Sequence, residues 1–109
     1  MEAALKAISQ PRRRAILQLV SDTEMAAGQI AGHFEISRPA VSQHLSVLKE
    51  AGLVTERRNG TKRLYRARRE GLQDVRAFLD ELWGDRLGAL KREAEREERS
   101  THGKRHPHD

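Results

Sequence analysis

Residues 27–54 read AGQIAGHFEISRPAVSQHLSVLKEAGLV, and no other stretch narrows the possible folds as far. Ile30 and Phe34 stand at i, i+4, which predicts a short helix over Ala26 to Phe34 with one apolar edge. Ser37 offers its hydroxyl to the first turn of a second helix, running from Arg38 to about Ala51. Val41, Leu45 and Leu48 share one face of that helix and must turn toward a core. Gly52 then stands at the C′ position, where a left-handed backbone ends a helix. Two short helices therefore meet at a tight turn.

A hairpin follows directly. Leu53 to Arg58 and Thr61 to Ala67 flank Asn59-Gly60, a dipeptide suited to the two positive φ angles of a type I′ turn. Upstream, residues 2–8 predict a short amphipathic helix with Ala4, Leu5 and Ile8. Pro11 suits the first turn of another, which places Ala15, Ile16, Leu19 and Val20 on one side, begins with Arg12, Arg13 and Arg14, and ends near Ser21-Asp22-Thr23. From Gly71 onward Leu72, Val75, Leu79, Leu82, Leu87 and Leu90 recur at mostly three- and four-residue steps, widened by Phe78 and Trp83. The expected order is helix, helix, helix-turn-helix, β-hairpin, long helix. This is a mainly α fold with a β-hairpin wing: a single winged helix-turn-helix domain over residues 1–95, then a flexible, charged, His-containing tail over 96–109.

Composition narrows the function. The 109 residues carry a formal net charge of +5, with 37% hydrophobic and 34% charged residues. So lean an apolar content favours burying a face against a second copy, and the basic balance favours a polyanion, either nucleic acid or an anionic membrane surface. The absence of cysteine excludes disulfides, thiolate metal sites and Cys nucleophiles. No apolar run approaches the ~20 residues of a membrane span, and MEAALKAISQ lacks the basic start and apolar middle of a signal peptide. The expected location is the cytoplasm.

The chemistry centres on the second helix of the motif. Opposite its apolar face it projects Pro39, Ser42, Gln43 and Ser46, which are short or uncharged, and such a face can enter a B-DNA major groove and approach base edges. Gln43 suits a bidentate contact to adenine. Ser42 suits a base edge or a phosphate, Arg38 guanine or a phosphate, and Lys49 the DNA backbone. The competing reading of the spacing alone is an ordinary solvated helix face. The hairpin argues against that: from Arg57 to Arg69 it carries Arg57, Arg58, Lys62, Arg63, Arg66, Arg68 and Arg69 with no acid between them. So one-sided a run, placed just after the helix, makes a phosphate-tracking wing.

ISRPAVSQHLSVLKEAGLVTERRNGTKRLYRA and the earlier SQPRRRAIL resemble the ArsR-type (ArsR/SmtB) winged-helix repressors over roughly residues 3 to 90. The resemblance implies a homodimer on double-stranded DNA at an inverted-repeat operator, repressing by blocking a promoter. It places Arg38, Pro39, Ser42 and Gln43 at the DNA, with Asn59 and Gly60 at the wing tip. It places Leu5, Ile8, Leu72, Val75, Leu79, Leu82 and Trp83 in the helices where the dimer forms. Two departures stand out. Glu35 occupies the inter-helix turn where Gly or Asn is usual. The Cys pairs and C-terminal His ligands of metal-sensing members are missing: EMAAGQIAGHF has no Cys, and Leu72 to Arg99 has no His. The chain resembles the branch that senses no metal. No cofactor is implied, and no small-molecule effector is identified.

Single residues keep more than one reading. His44 either assists DNA contact or packs beside the core. His33 is a solvated or packing residue. His102, His106 and His108 sit near Asp109 in the tail, where adventitious binding of a transition metal needs no built site; a regulated site would need second-shell support. Gly84 and Gly88 allow a close helix partner, a bend, or simple exposure. Catalysis has no support: there is no phosphate-cradling loop and no nucleophile elbow. A protein-interaction module or a non-specific nucleic-acid binder is the alternative function. The mixed charges of the last helix argue against a membrane surface, and the scarcity of aromatics argues against single-stranded RNA.

Overall fold

The computed structural model describes residues 1–100, so the three tail histidines lie outside the described residues. The elements in chain order are α1 (Glu2–Ile8), α2 (Pro11–Leu19), β1 (Met25–Ala26), α3 (Ala27–Phe34), α4 (Arg38–Glu50), β2 (Val54–Asn59), β3 (Lys62–Ala67) and α5 (Arg69–Ser100). The chain divides into two units, Met1–Val75 and Arg76–Asp109.

The first unit is built around one core. Ile16 and Leu17 of α2, Val20 just after it, Ile30 of α3, Val41, Leu45 and Leu48 of α4, and Leu53 and Val54 at the start of the wing are buried together. Each such side chain contributes roughly 1.5–3 kcal/mol relative to exposure. Leu17 is buried and Leu19 only partly, so the apolar face of α2 is rotated from the expected one. Val75, expected in a dimer interface, is 6% exposed in the single chain and belongs to this core; Leu5, Ile8 and Leu72 pack against it, partly buried.

The arginines opening α2 have a structural use. Arg13 donates through Nε to the Ala7 carbonyl at 2.7 Å, and Arg14 through Nη1 to that of Ile8 at 2.7 Å. They satisfy carbonyls that the end of α1 leaves open, and place positive charge at its negative pole. Arg12 lies over the Phe34 ring, 5.4 Å from its centroid.

The wing differs from expectation in two respects. It is three-stranded, in the order β1-β3-β2, because Met25 and Ala26 pair antiparallel with Tyr65 and Leu64. A two-residue strand has no alternation to read, so Ala26 looked like the start of a helix. The hairpin turn is also displaced by one residue. Asn59 pairs with Lys62 inside the ladder, and the loop is Gly60-Thr61. Gly60 has φ +66, whereas neither Asn59 nor Thr61 has a positive φ. One glycine at the first central position follows the φ pattern of a type II′ turn rather than type I′.

The turn between α3 and α4 hinges on Glu35, at φ 54 and ψ 38 in the left-handed region. Glu35→Asn is expected to raise stability by up to about 1 kcal/mol, since Asn tolerates this conformation better. A denaturant midpoint that stays put or falls would show that Glu35 is not under strain.

In the second unit α5 continues from Arg76 to Ser100, so it takes in residues 96–100, assigned above to the tail. REAEREERS holds mostly strong helix formers. Leu79, Leu82, Trp83 and Leu90 along it are 39%, 54%, 49% and 63% exposed. Among the described residues no helix is long and apolar enough to cross a membrane.

Candidate nucleic-acid interface

The interface is assembled from α4 and the wing. Ser37 caps α4, its Oγ accepting from the Ala40 N–H at 3.2 Å, with Pro39 in the first turn. The other end closes by a pair of bonds, Leu53 N–H to the Leu48 carbonyl at 2.9 Å and Gly52 N–H to that of Lys49 at 3.0 Å. This is the Schellman arrangement, and it requires Gly52 at φ +76. Between these caps Val41, Leu45 and Leu48 are buried, while Arg38, Pro39, Ser42, Gln43, Ser46 and Lys49 are all exposed.

An open groove of about 510 Å3 separates α4 from the wing, lined by Gly28 and Gln29 of α3, Arg38 and Ser42 of α4, and Arg63 and Tyr65 of β3. Gln29 fixes the start of α3 by accepting from the Ala26 N–H at 2.9 Å. The Arg38 guanidinium lies over Gly28, where an added Cβ would stand 3.3 Å from Nε.

The basic run does not act as one block. Paired residues of neighbouring strands share a face, so the register puts Glu56, Arg58, Arg63 and Tyr65 on one side and Arg57, Leu64, Lys62 and Arg66 on the other. Glu56, on the first side, takes Lys49 Nζ at 2.9 Å and the Tyr65 hydroxyl at 2.8 Å. These two bonds hold its carboxyl below the usual range, while burial and the bond to Glu56 push the Tyr65 phenol up. On the other side Glu24 binds Arg57 through two oxygens, at 2.7 and 2.8 Å. The Arg57 bond lowers the Glu24 pKa and raises that of Arg57. Arg57, expected at DNA, is thus held by an acid on the side away from Glu56. Among the described residues Arg58, Lys62 and Arg66 have no ion-pair partner. Asn59 and Gly60 are exposed at the wing end.

His44 is partly buried, and burial first, then Arg13 and Arg12, lowers its pKa. Its surroundings therefore favour the uncharged ring. Sequence reasoning missed Glu24 and Glu56. Glu56 lies one position before the run counted as acid-free. Glu24 is far from Arg57 in sequence and reaches it only because β1 joins the sheet.

Two short helices joined by a tight turn, an exposed polar face on the second, and a basic hairpin beside it define a winged helix-turn-helix protein. Residues 10–56 match the bacterial regulatory protein, arsR family. The HTH-type transcriptional regulator Rv2034 of Mycobacterium tuberculosis is 43% identical over 82 residues, 75% of this chain and 77% of that protein. The transcriptional repressor SdpR of Bacillus subtilis is 45% identical over 74 residues, 68% of this chain and 82% of that protein. A solved structure, the homodimeric winged helix-turn-helix DNA-binding domain of a possible ArsR-family regulator from Mycobacterium bovis, superposes with a TM-score of 0.62 at 31% identity. It covers 99% of this chain and 85% of that one. The chain belongs to the arsR family of bacterial regulatory proteins.

Proposed function

We propose that the chain is a homodimeric repressor that occupies an inverted-repeat operator in double-stranded DNA. One observation carries the reading: the exposed Ser42, Gln43 and Ser46 on α4 stand opposite three buried aliphatic residues, beside a groove edged by Arg38 and Arg63. Repression is the activity named for SdpR, and the Mycobacterium bovis domain is homodimeric. Gln43 reads a base edge, Ser42 and Arg38 a base or phosphate, and Lys49, Arg58, Lys62 and Arg63 the flanking backbone. The exposed leucines of α5 supply the dimer face. Bound protein blocks the promoter, acting in the cytoplasm as a regulator rather than an enzyme. With no cysteine in the chain and no His from Leu72 to Arg99, it falls in the branch that senses no metal.

Selection by purified protein from random duplexes at near-physiological salt tests this. The expected result is an inverted repeat whose half-sites lie one helical turn, or a multiple, apart. Salt-sensitive binding with no enriched sequence would overturn it. On the enriched site Gln43→Ala is expected to cost roughly 1–3 kcal/mol and relax one base position. Arg63→Ala should weaken binding to every sequence and flatten the log–log salt slope by about 0.9. Identical behaviour of the two variants on selected and random DNA would refute these roles.

A further inference from the structure

An acid stands on the side of the wing that edges the groove. The Glu56 carboxylate accepts from Lys49 Nζ at 2.9 Å through Oε1 and from the Tyr65 hydroxyl at 2.8 Å through Oε2, with Arg63 Nη1 3.6 Å from Oε2. One carboxylate therefore ties α4 to both long strands of the wing. Its side chain is 18% exposed, against 53% for Lys49 and 59% for Arg63, so the acid lies beneath the two cations it holds. Such exposed ion pairs contribute little to stability, and stability alone gives no reason for the acid. Toward phosphate its effect is large, because sequence-independent binding is almost wholly a matter of cations meeting phosphates. Discrimination is a difference between two affinities, and lowering the unwanted one raises it.

We propose that Glu56 is a positioning residue that determines specificity: as shared counter-charge to Lys49 and Arg63 it weakens binding to DNA of any sequence, and it holds both cations in one arrangement suited to the operator. The inference deepens the DNA-binding reading above and rests on it. Glu56 acts through its partners and touches no base. Simple electrostatics predicts that removing an acid tightens all DNA binding alike. Positioning predicts that the gain is confined to random sequence.

Full-length Glu56→Gln, which keeps an acceptor for Tyr65, is titrated with two duplexes of equal length: the inverted repeat selected by the unsubstituted protein, and random sequence. Random duplex is expected to bind roughly 3–10-fold tighter, with a salt slope steeper by about one contact. The selected repeat should bind no tighter, so the specificity ratio falls by at least the same factor. Glu56→Asp should restore much of the ratio, and in a Lys49→Met background the Glu56→Gln effect should shrink. An unchanged ratio, or a full-sized effect without Lys49, would overturn the proposal. Failure of the functional reading is visible separately, as a protein that selects no sequence. In that event unchanged affinity of Glu56→Gln for random duplex would still refute the counter-charge role.

Discussion

Replacing Gly71 by alanine is expected to destabilise the protein by about 3 kcal/mol, the upper end of what overpacking substitutions typically cost. Gly71 is buried in the first turn of α5. A Cβ there would overlap the carbonyl oxygen of Gly52 and lie 3.0 Å from its carbonyl carbon. Both groups are backbone, and neither side can yield. Gly52 is fixed by its positive φ and its bond to Lys49, and its carbonyl accepts from Arg68 Nη1 at 3.2 Å. The Arg68 N–H in turn donates to the Leu53 carbonyl at 2.7 Å. Moving α5 outward would break this set of bonds and draw Leu72 and Val75 from the core. Against a total stability of about 5–15 kcal/mol, such a loss is severe. Gly32→Ala is the control: an added methyl there meets nothing within 4 Å, and alanine in a helix gains roughly 0.5–1 kcal/mol. Urea unfolding of both variants decides the matter. A Gly71→Ala midpoint within error of the unsubstituted protein would mean that the close approach is not required.

Leu82→Lys is expected to lower affinity for the selected operator by about 10²–10⁴-fold, the loss that follows when two linked half-site contacts become independent. Leu79, Leu82 and Leu90 are large, apolar and exposed on α5, and the proposed function supplies a second copy to cover them. The lysine adds positive charge, so electrostatics alone would favour DNA, and a large loss of affinity must come from assembly. Sedimentation should show a monomer at concentrations where the unsubstituted protein is a dimer. A Leu82→Lys protein that stays dimeric and binds with full affinity would remove this face from the interface.

Much of this was legible in the order of residues because the determinants are local. The cap at Ser37, the apolar face of Val41, Leu45 and Leu48, and the glycine that ends α4 each act within a turn or two of chain. So does the exposure of Ser42, Gln43 and Ser46, which follows from helical period once the opposite face is buried. The strain at Glu35 was also readable, as a departure from the glycine or asparagine expected at that turn.

What escaped depends on pairing between distant segments. Asn59-Gly60 is a good type I′ dipeptide in isolation, yet the ladder places Gly60-Thr61 in the loop. Register is settled by which residues of both strands reach the core together. That same register decides which cations of the wing share a face with Glu56 and which with Glu24. Composition counts seven cations from Arg57 to Arg69; only the folded sheet shows Arg57 held by Glu24 from β1's side and Lys49 held by Glu56. The helix-turn-helix, its exposed polar face and the basic character of the wing follow from helical period and net charge, which the order of residues carries. How that charge is partnered, and which apolar residues enter the core and which stay exposed, follows from the tertiary fold. Ion pairing and burial are set by distances across the fold, which spacing along the chain does not encode.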